Sequence, residues 1–284
     1  MTTTTTKEPK VKALFEQLKE GVANIISSDD WKKILILQTK FHNYSFRNIM
    51  LIRMQRPTAK RVASYGLWKT LGRQVVRGAQ SIKIIAPHTV KLEDKETGEE
   101  KEVLSFHQAS VFDVTDTEGE ELPRLNYDEL AGDTKQLRQF YELAMSISPV
   151  PVKEKTIKDG SEGYYHTVED YIAIKRGIGV HKKCKTLIHE IVHATLHRRD
   201  NKDAQALTAS DMEIQAEGAA FVVLTYFGLD TSKYSFSYVA GWNSSNDIER
   251  IERAGDAIQK VSKKLIDQLE ALMKSEEKPK ANIA

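Results

Sequence analysis

A chain of 284 residues with 40% hydrophobic content can fill the cores of one large domain or two ordinary ones. Its formal net charge is only +2, but that average conceals a segregation of sign along the chain. No apolar run approaches the roughly 18 residues that span a bilayer, which excludes an integral membrane role. The single cysteine, Cys184, cannot form an internal disulfide, and Met1 to Lys12 is rich in Thr and Lys without the apolar core of a signal peptide. A cytoplasmic protein is expected.

Val11 to Ile26 places Leu14, Leu18, Val22 and Ile25 at helical spacing, Trp31 to Phe41 continues in helical style, and Tyr44 to Arg56 is a helix stopped before Pro57. Short strands are predicted at Arg61 to Ser64, Gln74 to Val76 and Ser81 to Ala86, with Gly72 and Gly78 as turn residues. Glu102 to Val114 alternates around Leu104, Phe106, Val111 and Phe112, and Gly98 sits in the turn before it. The first half is therefore α+β. Asp116 to Pro123 reads as a polar exit and residues 125–133 as a linker, giving domains over 1–124 and 134–284. In the second, Leu137 to Ser146 is a helix and Gly163 to Arg176 a hairpin carrying Tyr164, Tyr165, Tyr171, Ile172 and Ile174. Three further helices follow at Lys182 to Arg198, Met212 to Phe227 and Ile248 to Met273, with a disordered tail from Ser275.

Charge divides the first half. Trp31 to Leu92 contains no Asp or Glu, whereas Glu93 to Glu121 is strongly acidic. Cations neutralise phosphates, and aromatic rings stack on unpaired bases. Lys40, Arg47, Arg53, Lys60, Arg61, Lys69, Arg73, Arg77 and Lys83, interleaved with Tyr65 and Trp68, are therefore candidate contacts to single-stranded DNA. The competing reading is a solvated basic surface with the aromatics in the core, where Phe41 and Phe46 belong, and the acidic stretch could fold back to mask the cations.

The sharpest chemical signal is His189-Glu190-Ile191-Val192-His193. Residues four apart share a helix face, so both imidazoles can reach one Zn²⁺ with Glu190 beside them. A zinc ion lowers the pKa of its water to roughly 7, and a carboxylate in reach can take the proton as a polarised carbonyl is attacked. Glu190 is thus the candidate catalytic base of a zinc peptidase. The bland alternative is a chance pattern on an ordinary helix, disfavoured by the apolar Leu187, Ile188, Ile191 and Val192 around it.

A catalytic zinc takes three protein ligands. His197 lies one turn further on, but its Cα stands roughly 12 Å from that of His189, too far for both to bind one ion easily. A metzincin pattern fails because Leu196 and Arg199 stand where Gly and His are needed. The next predicted helix offers Glu213 and Glu217 on one face. Glu213 is taken as the ligand and Glu217 as the partner that hydrogen-bonds a ligand imidazole, or as the alternative ligand. Ala216, Gly218, Ala219 and Ala220 suit close packing against the zinc helix. Cys184 reads as a core residue, and His166, Tyr164 or Tyr238 could polarise a carbonyl oxygen.

Lys185 to Ala194 followed by Glu213-Ile214-Gln215-Ala216-Glu217 resembles the ImmA/IrrE type of zinc peptidase-like domain, whose preceding hairpin is matched at Gly163 to Ile174. The resemblance implies a mainly helical, zincin-like domain with a small sheet and a gluzincin-like site completed by Glu213. Tyr44-Ser45-Phe46-Arg47-Asn48, Val62-Ala63-Ser64-Tyr65, Trp68 to Arg73 and Val111-Phe112-Asp113-Val114 resemble the N-terminal domain of ArdC-type antirestriction proteins. That implies single-stranded-DNA binding and a role in plasmids, phages or integrative elements. Three functions follow as expectations: antirestriction by a DNA-binding zinc peptidase, cleavage of a specific regulator by the same site, or non-catalytic coating of DNA with a structural zinc. The protein substrate is left open.

Overall fold

A computed structural model of the chain describes residues 8–23, 27–93, 100–122, 135–232, 234, 236 and 245–277. They divide into two units, the first drawn from residues 1–25 and 46–124, the second from 26–45 and 125–284. One boundary falls between residues 124 and 125, and the first unit is drawn from two segments, where the sequence expectation is a continuous 1–124. Residues 26–45 pack with the second unit, because the apolar face of their helix, with Trp31, Ile34 and Leu35 fully buried, finds its partners there. The expected linker at 125–133, Ile25 and the turn at Gly98 lie outside the described residues, as does the tail beyond residue 277; the tail expected from Ser275 is helical as far as Glu277.

In the first unit, α1 (Glu8–Ala23) packs on α3 (Phe46–Gln55), while α2 (Ser28–Lys40) between them in sequence belongs to the other unit. Then follow β1 (Val62–Ala63), α4 (Tyr65–Thr70), β2 (Arg73–Val75), β3 (Ile82–Glu93), β4 (Glu100–Asp113) and, after one 3₁₀ turn, β5 (Thr117–Gly119). β4 lies between β1 and β3 in an antiparallel sheet, and β2 pairs with β5. The strand expected at Ser81 to Ala86 runs on to Glu93, since the whole of β3 finds a partner in β4. α4 was not expected from the sequence; it begins where the Ser64 hydroxyl accepts the Leu67 N–H.

α3 seals the free side of β3. The buried Asn48 amide donates to the Ile85 carbonyl at 2.8 Å and accepts from its N–H at 2.9 Å. Seven residues on, two turns along the same face, Gln55 does the same for Lys83 at 2.7 and 2.8 Å. Side-chain amides thus satisfy backbone groups that an edge strand would otherwise expose. Gly119 has φ 135°, and a Cβ there would stand 2.3 Å from the Gly72 carbonyl oxygen, so only glycine lets β5 close on β2.

The second unit contains α5 (Lys135–Ser146), β6 (Val152–Lys155), β7 (Gly163–His166), β8 (Tyr171–Lys175), α6 (Val180–Leu196), the short α7 (Lys202–Gln205), α8 (Ala209–Tyr226) and α9 (Ser245–Glu277). The hairpin β7–β8 is where the sequence places it, and β6 adds to β8 in parallel to make a three-stranded sheet in the order β6-β8-β7. α6 buries Cys184, Leu187, Ile188, Ile191 and Val192 between this sheet, α5 and α8. A Cβ on Gly163 would lie 2.5 Å from Thr186 Cγ2 and 2.7 Å from the Ala173 carbonyl oxygen, so its absence seats β7 directly on α6. Gly218 serves a different contact from the one expected: its open side is filled by Ile258 of α9 and Leu35 of α2 rather than by α6. Among the described residues no helix is long and apolar enough to cross a membrane.

Candidate metal centre and nucleic-acid surface

α6 and α8 bring His189, His193 and Glu213 together. One donor atom from each lies within 4.8 Å of the others. His189 Nε2 and His193 Nε2 are 3.0 Å apart, and they stand 3.5 and 3.4 Å from the two Glu213 oxygens. Four donors set tetrahedrally at ~2.1 Å from a common centre are roughly 3.4 Å from one another, so the observed spacing fits a divalent ion such as zinc. Among the described residues only these three converge. The Thr208–Asp211 capping box, tied to α9 by Arg250, starts α8 and sets the position of Glu213 half a turn later.

The electrostatics follow from crowding. Hydrogen bonds from the His189 and His193 imidazoles hold the Glu213 carboxyl far below the usual carboxylate range, against partial burial. Burial pulls the His189 imidazole down, but its bond to Glu213 and the fields of Glu190 and Glu217 outweigh this and raise it. Glu190 is only 8% exposed, and burial pushes its carboxyl up against the pull of the two imidazoles and of the Tyr165 backbone N–H. A carboxylate shifted toward neutrality is suited to accept a proton. The Tyr165 hydroxyl bonds Asp170 at 2.7 Å and Arg198 bonds the same carboxylate at 2.6 Å, which pins the β7–β8 turn to the chain just past α6.

The sequence expectation is that Glu217 accepts a hydrogen bond from a ligand imidazole. Among the described residues Glu217 makes no hydrogen bond to either imidazole, although its field reaches His189. Instead His197 Nδ1 lies 2.9 Å from His193 Nδ1, and His197 Nε2 lies 3.0 Å from Gln215 Oε1. Burial holds the His197 imidazole down to about 4, so it is neutral near pH 7. The sequence signal was the continued four-residue spacing of His189, His193 and His197, weighed only as a ligand pattern. Tyr164 and His166 join a cluster on Tyr171, one by a 3.4 Å hydroxyl contact and the other by stacking at 5.2 Å. Tyr238 lies outside the described residues. Cys184 is a buried free thiol, pushed up to about 12 by that burial, as a core residue should be.

The predicted DNA contacts sort into two groups. Arg47, Lys60, Tyr65, Lys69 and Arg77 are exposed, with Arg53 and Arg61 partly so. Tyr65 is 51% exposed and shares a groove of about 530 Å³ with Lys69 and the β2–β5 pair, with Glu118 also lining it. Lys60 and Arg61 belong to a loop whose backbone N–H groups both donate to buried Asp113, at 2.7 and 3.2 Å. Four residues depart from expectation. Trp68 is 2% exposed with its indole N–H given to the Phe112 carbonyl at 2.9 Å, because α4 needs it to reach the core. The Arg73 guanidinium is spent on Thr117, Gly119 and Glu120, closing β2 on β5. Lys83 donates to the Ser81 and Ser110 hydroxyls, and Lys40 stands on α2 in the other unit. Acidic residues do mask part of the block, Asp116 pairing with Arg56 and Glu100 with Lys91 at 3.0 Å.

Residues 7–114 match the family model of the N-terminal domain of anti-restriction factor ArdC. Among solved structures, metal-free ArdC from plasmid R388 superposes with a TM-score of 0.54 at 23% identity, covering 80% of this chain and 85% of that one. The fold is ArdC-like. The Mn(II)-bound form of the R388 protein gives a TM-score of 0.52 at 19% identity, over 84% of this chain and 97% of that one. An uncharacterized Bacillus anthracis protein is 27% identical over 306 residues, 87% of this chain and 50% of that protein, so the chain spans about half the length of this relative.

Proposed function

We propose that the chain is an ArdC-like antirestriction protein of a mobile genetic element, pairing a single-stranded-DNA-binding unit with a metal-dependent hydrolytic site of the peptidase type. The observation that carries the hydrolytic reading is the convergence of His189, His193 and Glu213 beside the buried carboxyl of Glu190. Two imidazoles and one carboxylate at tetrahedral spacing suit zinc, while the R388 relative crystallised with Mn(II) keeps a second metal in view. A bound divalent ion would supply Lewis acidity toward a carbonyl and toward water. The protein's own contribution is Glu190, held by the Tyr165 N–H, which takes the proton from the attacking water and returns it to the leaving amine.

A purely structural metal is the weaker reading, because structural zinc sites close with four protein ligands and only three converge here among the described residues. Glu190→Gln separates the two. The variant should keep zinc at wild-type stoichiometry and lose hydrolysis of a protein substrate by at least about 100-fold. If it still protects incoming unmodified plasmid DNA from restriction as well as the wild type does, proteolysis is not the route. DNA coating by the first unit then carries the function. Cleavage of a dedicated regulator is favoured if Glu190→Gln abolishes the biological effect while single-strand affinity is unchanged.

A further inference from the structure

A carboxylate in a groove that takes a polyanion opposes binding unless it meets a donor, and Glu118 lines the groove formed by α4 and the β2–β5 ribbon. We propose that this groove reads the base of one nucleotide, with Tyr65 stacking on it and Glu118 and Gln74 bonding its Watson–Crick edge, and that the base it prefers is guanine. The proposal rests on the single-strand-binding reading above and deepens it from phosphate attraction to base choice.

Tyr65 and Lys69, one turn apart on α4, line one side of the groove. Gln74 and Glu118 line the other. They are partners in the antiparallel β2–β5 register, so their side chains leave the same face of the ribbon from Cα atoms about 5.5 Å apart. Arg73 and Thr117 alternate to the opposite face, where the Arg73 guanidinium donates to the Thr117 hydroxyl at 2.8 Å. Gly72 and Gly119 complete the lining without a side chain, which leaves the space of about 530 Å³ open to a flat ring. Among the described residues the side chains of Tyr65, Lys69, Gln74 and Glu118 make no hydrogen bond or ion pair. Asp116 and Glu100 are neutralised by cations, whereas Glu118 is not, although Lys69 shares its groove. An aromatic ring, a cation, an amide and a carboxylate thus face one space with their bonding capacity unspent.

The choice of base follows from donors and acceptors. A carboxylate only accepts, and the NH₂ of an amide donates. Guanine turns N1–H and its N2 amino group toward one carboxylate and O6 toward an amide, so Glu118 takes two bonds and Gln74 gives one. Adenine and cytosine offer Glu118 a single amino group, beside a ring nitrogen that Gln74 serves. Thymine offers one N–H between two carbonyl oxygens, which the Glu118 charge repels. Stacking on Tyr65 favours every base and Lys69 offsets the phosphate charge, so neither discriminates. The Watson–Crick edge is free only in an unpaired nucleotide, which makes a single strand the occupant.

Fluorescence anisotropy at fixed salt, with thymidine oligomers carrying one central dG, dI, dA, dC or dT, tests this on the full chain. The wild type should bind the dG strand about 5- to 100-fold more tightly than the plain dT strand, with dA and dC between them. Inosine lacks the N2 amino group, so dI should lose the gain of the second bond and fall among dA and dC. Glu118 is exposed, and Glu118→Gln leaves a single acceptor. That variant should bring dG down to the level of dI, while the plain dT strand binds no less tightly than to the wild type, because a negative charge has left the groove. Equal wild-type affinity for dG and dT, or a dG preference that survives Glu118→Gln, overturns the proposal and leaves single-strand binding standing. A wild type that binds none of the strands overturns the single-strand reading and the proposal with it. Free guanosine monophosphate that binds as tightly as the dG strand overturns the assignment to DNA.

Discussion

Asp113→Asn is expected to destabilise the first unit by roughly 3–5 kcal/mol, out of the ~5–15 kcal/mol of a typical domain. Asp113 is fully buried, and each of its oxygens serves two donors. Oδ2 takes the backbone N–H groups of Lys60 and Arg61 at 2.7 and 3.2 Å, and Oδ1 takes the N–H and hydroxyl of Thr115 at 3.0 and 2.7 Å. An asparagine must turn its NH₂ toward one pair. The least costly choice is Thr115, whose hydroxyl can rotate and accept, which leaves one buried N–H facing a donor at about 1–3 kcal/mol. The three remaining bonds lose the help of a full charge, about 1 kcal/mol each, and the lower desolvation cost of a neutral group offsets part of this. Urea unfolding followed by the fluorescence of buried Trp68 measures the loss. Because Oδ2 shapes the loop that carries Lys60 and Arg61, single-strand affinity should fall with it. An unfolding free energy within about 1 kcal/mol of wild type would refute the reasoning, since it would mean that the buried carboxylate does not organise this loop.

Tyr65→Ala should weaken single-stranded DNA binding by about 5- to 100-fold through lost stacking. Lys69→Gln should shallow the salt slope by about 0.7. Arg73→Ala, by contrast, should lower stability and leave that slope alone, and fluorescence anisotropy across a salt series distinguishes them. Gly163→Ala should cost about 1–3 kcal/mol, because the new methyl meets the Ala173 backbone as well as Thr186. Hydrogen exchange at the Tyr165 amide should rise with it, and unchanged protection would mean that β7 does not depend on this close approach. Asp211 is held below the ordinary aspartate value, its bonds to Thr208 and Arg250 outweighing partial burial. A carboxylate lowered in the folded state contributes stability that is complete above about pH 4 and disappears as the pH falls through the folded value. Asp211→Asn should therefore flatten the decline of stability below about pH 4, and an acid limb identical to wild type would count against the pairing.

Local chemistry determined a good deal from the sequence alone. The four-residue period of His189 and His193, Pro57 ending α3, and the Tyr-rich hairpin before α6 are each set by residues a few places apart, so their backbone geometry follows from spacing. Glu213 was within reach of the same logic once a third donor was required. What the sequence could not reveal were the relations between distant segments. Charge counting joined residues 31–45 to the basic block, whereas burial of Trp31, Ile34 and Leu35 assigns them to the other unit. Sequence placed Phe41 and Phe46 in the core but left Tyr65 and Trp68 open between core and surface, until packing buried Trp68 and engaged Arg73 with β5. The partner of His193 Nδ1 was likewise decided by where α6 ends and which face α8 turns toward it. A side chain's type and period are local properties, but whether it meets water, a neighbour's carbonyl or a second imidazole depends on contacts that only the packed chain creates.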